Sequence, residues 1–248
     1  MKIIRKITPA HWLMILLAIS IIANVHLVFR ALDYRRGANE WLNKYTHMVA
    51  EFSGRDVYTK EDKILAADTT VANRIVIIGT QVIDTWNPGD AFKGYEIIKR
   101  AVPGQYAAGM LLRFRPDVIN LKPKAVLIEI SSYNLRPQHA VEEIEEYASS
   151  MADLARMHDI IPILSTMIPP RKSHEKFENY SVMENLEVYN RWLTNYCTRQ
   201  GINYVDFNRL LSNKNGHLKT ELSADPVTPN AVGYRLMSES VLSVLQGL

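Results

Sequence analysis

From Arg74 onward the chain alternates short, almost wholly apolar runs with longer amphipathic segments, and this alternation restricts the fold more than any other feature. Runs such as VIIG and AVLIEI are short and show no in-and-out alternation, as in parallel strands buried on both faces. The apolar runs predict strands over 74–79, 96–102, 125–131, 160–166 and 203–206. Helical periodicity predicts helices over 106–121, 140–158, 183–199 and 230–245. Strands and helices in strict alternation, joined by right-handed crossovers, give an α/β fold: a three-layer α/β/α sandwich on a parallel, doubly wound, flavodoxin-like sheet. In such sheets sites form beyond the carboxyl ends of the strands, which here are segments 79–86, 103–106, 131–137, 167–180 and 225–230.

The amino-terminal part obeys a different rule. From His11 to Phe29 no Asp, Glu, Lys or Arg occurs. At ~1.5 Å per residue this run extends roughly 28 Å, close to the hydrocarbon thickness of a bilayer. Trp12 sits near one end, where an amphipathic ring favours the interface, while Asn24 and His26 weaken the span. A cleavable signal peptide would be shorter and end in a small-x-small site, which Ile-Ile-Ala before Asn24 does not supply. A buried soluble helix would carry a polar stripe, absent from Trp12 to Ala23. The expected organisation is a short basic N-terminus (1–10), one transmembrane anchor helix (11–30), a juxtamembrane connector (31–72) and an α/β domain (73–248). Within the connector, 38–52 fits a helix leaving the membrane. Lys2, Arg5 and Lys6 lie on one side of the span and Arg30, Arg35 and Arg36 on the other, so the positive-inside rule gives almost no bias. The favoured reading places the bulk of the chain outside the cytoplasm.

Composition excludes several classes of function. With 248 residues the chain can build one sizeable core but not two large domains. The lone Cys197 rules out an intramolecular disulfide and a thiolate metal cluster, and reads as a buried structural thiol. No His or carboxylate spacing suggests a metal site, and no cofactor motif is present. A net charge of +3 without a basic-aromatic repeat gives no case for nucleic acid.

The loops at the strand ends carry an ordered series of blocks. VIIGTQVIDTW resembles the first block of the SGNH/GDSL hydrolases, whose usual form is a hydrophobic run, Gly-Asp-Ser-Ile-Thr and then Trp. KRAVPGQYAAGMLLRFRPDVINLKPKAVLIEI is similar to the second block, SSYNL to the third, and DPVTPNAVGYRLM to the last. The series covers about residues 58–248 in order, and it implies an SGNH-type sheet with a serine esterase site.

The functional positions depart from that pattern. Aligned without gaps, the family's nucleophile serine falls on Gln81, the preceding aspartate on Thr80 and the oxyanion asparagine on Tyr133. The glycine opening the third block falls on Ser131, and the base histidine on Thr228; Gly104 and Asp225 persist. Acyl transfer needs a hydroxyl whose proton an oriented base removes. Gln81 offers no such oxygen, and Thr228 accepts no proton near neutral pH. Losing a complete triad costs on the order of a million-fold in rate in a well-studied protease. The resemblance therefore implies a catalytically degenerate member, anchored in the membrane through 11–30 and acting with protein partners as a binding or structural subunit of an envelope complex. The alternative is an esterase or acyl-transfer enzyme for acylated carbohydrate or lipid, using unconventional residues such as Thr80, Ser131 or Asp225. Asn134 would fill the asparagine slot if the register slipped by one, and His139 and His174 are the loop histidines on the site side. Glu129 either lines the old pocket, meets a basic neighbour, or reaches solvent at its strand end.

Overall fold

The computed structural model describes residues 8–248 except 69, 137–139 and 178–179, and the side chains of these residues except 43, 44, 46–52 and 177. The chain divides between Ala50 and Glu51 into two units.

The first unit is helical. Helix α1 runs unbroken over Pro9–Phe52, so the apolar run and the stretch 38–52 belong to one helix. Pro9 occupies the first helical turn, where its missing N–H costs nothing, and no other proline occurs before Pro88. The Pro9–Leu42 stretch is long and apolar enough to cross a membrane, and the side chains of its most apolar window are unburied. At ~1.5 Å per residue α1 is roughly 66 Å long, about twice the hydrocarbon thickness, so only part of it could lie in lipid.

The second unit is an α/β sandwich. Strands β1 (Arg74–Gly79), β2 (Glu96–Ala101), β3 (Ala125–Ile128), β4 (Ile161–Ser165) and β7 (Asn203–Val205) form a five-stranded sheet of order β2-β1-β3-β4-β7. Each neighbouring pair is parallel. A two-stranded antiparallel ribbon, β5 (Lys176–Phe177) and β6 (Tyr180–Ser181), stands apart from it. The helices are α2 (Thr59–Ala67), α3 (Gln81–Thr85), α4 (Ala107–Asp117), α5 (Val141–Met157), α6 (Val182–Gln200), α7 (Phe207–Leu211) and α8 (Ala231–Gln246). Because strand side chains alternate, β1 feeds two cores. Val76 and Ile78 join α4, α5 and α6 through Met110, Phe114, Met151 and Leu193. Ile75 and Ile77 join α3, α7 and α8 through Ile83, Phe207, Met237 and Val241. Cys197 is buried and free, as its helical context suggested.

The compact unit also takes in residues 51–72, which the sequence pattern assigned to a connector. The physical reason is the exposed edge that a terminal strand leaves. Tyr58 covers β2 there: its hydroxyl donates to the Ala101 carbonyl at 2.8 Å and accepts from the Ala101 N–H at 3.1 Å. Asp62 of α2 accepts two bonds from Arg100, at 2.9 and 2.6 Å, and both side chains are buried. Arg74 of β1 reaches the carbonyls of Leu65 and Leu121 at 2.8 and 3.0 Å.

A third buried arginine ties this edge to the site. Arg113 of α4 pairs with Asp117 at 2.6 Å and donates to the Gln105 amide oxygen at 2.7 Å. It also donates to the Gly79 and Arg100 carbonyls at 3.3 and 3.1 Å. Burial, and the nearby Asp62 carboxylate, push the Asp117 carboxyl up to about 6 against the pull of Arg113.

Breaking a buried ion pair strands the remaining charge. Asp62→Ala should therefore lower the unfolding free energy of the full chain in detergent micelles by about 3 kcal/mol. Glu61→Ala, which removes an exposed carboxylate 3.4 Å from the same guanidinium, should cost less than about 1 kcal/mol. Urea unfolding followed by tryptophan fluorescence measures both.

Candidate functional site

The five expected loops meet at the carboxyl end of the sheet. β1 and β3 leave it in opposite directions around the strand order, the place where doubly wound sheets open a crevice. A cavity of about 340 Å³ lies here, lined by Thr80, Gln81, Gly104, Ser131, Ser132, Tyr133, Arg136, Pro170, His174, Lys176, Val182 and Val227.

Its floor is the turn after β1. A Cβ on Gly79 would stand 2.4 Å from Ile83 and 2.7 Å from the Glu129 carboxylate, so only glycine fits that position. Glu129 is buried and accepts bonds from the Thr80 N–H at 3.0 Å and the Thr80 hydroxyl at 3.1 Å. Its other oxygen has no partner among the described residues. Burial pushes this carboxyl up to about 7, against the opposing pull of the two Thr80 bonds. Glu129 thus does not reach solvent and, among the described residues, meets no basic side chain; it braces the first loop from beneath. Thr80 is consumed by that bracing, and Gln81 opens α3 with its side chain exposed at the cavity.

The second and third loops lock to one another. Gly104 adopts φ +72°, a left-handed conformation that glycine tolerates and other residues strain to reach. The next residue, Gln105, is held by Arg113. The Asn134 amide oxygen accepts the Ala107 N–H at 2.7 Å, and its amide donates to the Ser131 carbonyl at 3.1 Å. Asn134 is therefore spent on capping α4, and Tyr133, not Asn134, faces the cavity. The Tyr133 ring packs against Tyr106 at 5.5 Å between centroids, and the Arg136 guanidinium lies 4.3 Å from its centroid. Tyr133 stays 43% exposed, so it forms a wall without plugging the hollow.

The last loop turns away. The Asp225 carboxylate accepts the Val227 and Thr228 N–H groups, both at 2.8 Å, and the Thr228 hydroxyl at 2.6 Å. Burial acts to raise its pKa, but the Thr228 hydroxyl, these N–H groups and Arg171 together hold it below the ordinary carboxylate value. Asp225 and Thr228 line a separate hollow of about 580 Å³ with Asn87 and Tyr234, while Val227 faces the first cavity. Of the expected family positions, Gln81, Gly104 and Tyr133 therefore share one cavity and Asp225 and Thr228 do not. His139 lies outside the described residues. His174 lines the first cavity, but its Nδ1 lies 3.0 Å from the neighbouring Ser173 hydroxyl, which does not. No cluster suited to a metal occurs among the described residues. Arg136, Pro170, Lys176 and Val227 fall within the loops expected from the sequence, which gave none of them a role, and Val182 lies outside those loops; the packing of separate segments brings these side chains to one cavity.

The raised Glu129 carboxyl makes a pH prediction. Its folded value lies above the ordinary glutamate value of 4.5, so the stability it lends is full below that value and is lost as pH rises through about 7. The Tm of the full chain in detergent should fall between pH 5 and pH 8, with Asp117 adding in the same direction. Glu129→Gln keeps an acceptor for Thr80 and should flatten the part of that slope due to Glu129. A scanning fluorimetry series across these pH values reads it.

Comparison with known proteins now bears on this geometry. Residues 82–236 match the model of the GDSL-like Lipase/Acylhydrolase family, a match that begins just after Gln81. A GDSL-like lipase from Bacteroides thetaiotaomicron is 25% identical, with a TM-score of 0.73 over 79% of this chain and 98% of that one. A protein assigned as an acylhydrolase from Bacteroides fragilis is also 25% identical, with a TM-score of 0.69 over 77% and 94%. An acetylxylan esterase from Geobacillus stearothermophilus, 16% identical with a TM-score of 0.58 over 70% and 94%, shares the fold. No curated protein sequence matches the chain. With most of the compact unit covered by the family match, this chain belongs to the GDSL-like lipase/acylhydrolase family.

Proposed function

We propose that this protein is a membrane-anchored member of its family that has kept the cavity and lost the hydrolytic chemistry. It acts as a binding or structural subunit of an envelope complex, with the α/β unit on the extracytoplasmic side. The observation that carries the reading is the pairing of losses: Gln81 stands at the nucleophile position, and Thr228 at the base position is hydrogen-bonded to Asp225. An amide cannot attack an acyl carbon usefully, and a hydroxyl cannot take the proton that such an attack releases. The open cavity beside Tyr133 supports ligand binding over a purely structural role. The anchoring rests on the unburied apolar stretch of α1.

One observation favours a second reading, an enzyme using unconventional groups: His174 lines the same cavity as Ser131, Ser132 and Thr80. Against it, the Thr80 hydroxyl is bound to Glu129, and the hydrogen bond of His174 goes to Ser173.

The full chain, purified in detergent micelles, should hydrolyse 4-nitrophenyl acetate and butyrate no faster than empty micelles do. Turnover abolished by Ser131→Ala or His174→Ala would overturn the non-hydrolytic reading in favour of the second. Expressed in a bacterial host, the chain should stay with membranes through alkaline carbonate washing and leave them only with detergent. Release by carbonate alone would remove the anchor from the proposal.

A further inference from the structure

The side chains around the cavity have a charge pattern that the lost chemistry does not explain. Among the described residues Arg136, His174 and Lys176 line it, and no Asp or Glu does. The nearest acidic neighbour in the chain, Glu175, is turned to His217, whose Nε2 lies 2.7 Å from its carboxylate. The Gly104 N–H, at the second loop, has no acceptor among the described residues. Thr80, Ser131 and Ser132 add hydroxyls, although that of Thr80 is held by Glu129. The opposite character comes from the Tyr133 ring, Pro170, Val182 and Val227, which give the cavity an apolar wall. A neutral ester would offer Lys176 no counter-charge. An inorganic dianion would gain nothing from the apolar wall and would lose its hydration there. The volume of about 340 Å³ sits at the small end of ligand sites.

We propose that this cavity binds a small amphiphilic carboxylate, its anionic head toward Lys176, His174 and Arg136 and its apolar part against Tyr133, Pro170, Val182 and Val227. The proposal deepens the non-hydrolytic reading and rests on it: a site that cannot turn an ester over can hold a free acid as a stable ligand. Lys176 supplies a compact, exposed charge on the short ribbon strand β5. Arg136 adds a guanidinium already fixed over Tyr133. The head is held by charge, and the apolar wall selects against anions without a tail.

The test uses the full chain in nanodiscs of zwitterionic lipid at low salt, with empty nanodiscs as the baseline, and isothermal titration calorimetry as readout. Sodium hexanoate should give a saturable isotherm, with hexanamide weaker by about tenfold or more. Inorganic phosphate should not saturate in the same range. Lys176→Glu should weaken hexanoate by about tenfold, whereas Lys172→Glu, a nearby lysine outside the cavity lining, should change it by less than about twofold. Equal affinity for hexanamide would overturn the anionic head. Phosphate binding as tight as hexanoate would overturn the amphiphile and leave a simple anion site. Hexanoate binding untouched by Lys176→Glu, or no saturable binding at all, would overturn the proposal as a whole. Hydrolysis of 4-nitrophenyl hexanoate is measured on the same preparation. Turnover with hexanoate binding intact would remove the non-hydrolytic reading alone, and absence of both turnover and binding would remove this proposal alone.

Discussion

Glu129 takes two hydrogen bonds from Thr80, 49 residues away in the chain, from a position inside the core. The turn between β1 and α3 depends on that contact. Gly79 must lack a side chain for the carboxyl to come so close, and Thr80 must offer both its N–H and its hydroxyl to make burial tolerable. With the turn fixed in this way, Gln81 is presented at the cavity and β1 is joined to the extension of β3. A carboxyl raised by burial at this place would in another protein suggest a tuned acid or base. Here its partner is a hydroxyl of the same floor, and the arrangement works as a brace.

A similar economy holds the second loop. Arg113, fully buried, contacts the carbonyls at the ends of β1 and β2, the Gln105 side chain and Asp117. The segment around Tyr58 and Asp62 closes the β2 edge and buries the second arginine of the pair, Arg100. Arg100, bonded to Asp62, and Arg74, bonded to the Leu65 carbonyl, tie the segment after α1 into the compact unit. A strand edge with an unpaired arginine beside it would be both sticky and unstable. The residues that frame the site are thus held by charge pairs and by the two apolar cores together.

The residues aligned with the family's functional positions divide between two hollows. Gln81, Gly104 and Tyr133 still surround one hollow, while Asp225 has drawn Thr228 into a local turn that lines another. What remains in the first hollow is a basic rim and an apolar wall. The floor and walls of that hollow are held by hydrogen bonds of Glu129, Arg113 and Asn134.

Much of the fold could be read from local pattern. The five strands and four long helices follow from short apolar runs and from helical periodicity, properties that neighbouring residues carry by themselves. The alignment of the family's serine and histidine positions with Gln81 and Thr228 is likewise a reading of the sequence by itself. Other features were not legible. Glu129 looked equally like a pocket residue or a strand end, because its environment is made by Gly79, Thr80 and Ile83 from another segment. Asn134 fits a donor slot by sequence alone, but in the fold its amide oxygen accepts the Ala107 N–H. Residues 53–67 read as a polar connector because their apolar content is low, and their place on the β2 edge depends on buried ion pairs that no periodicity reveals. The sequence alone determined the layered α/β class and the apolar amino-terminal helix. The tertiary structure alone decided that Arg136, His174 and Lys176 converge on one open hollow and that Asp225 leaves it, because such proximity is created only when distant segments pack.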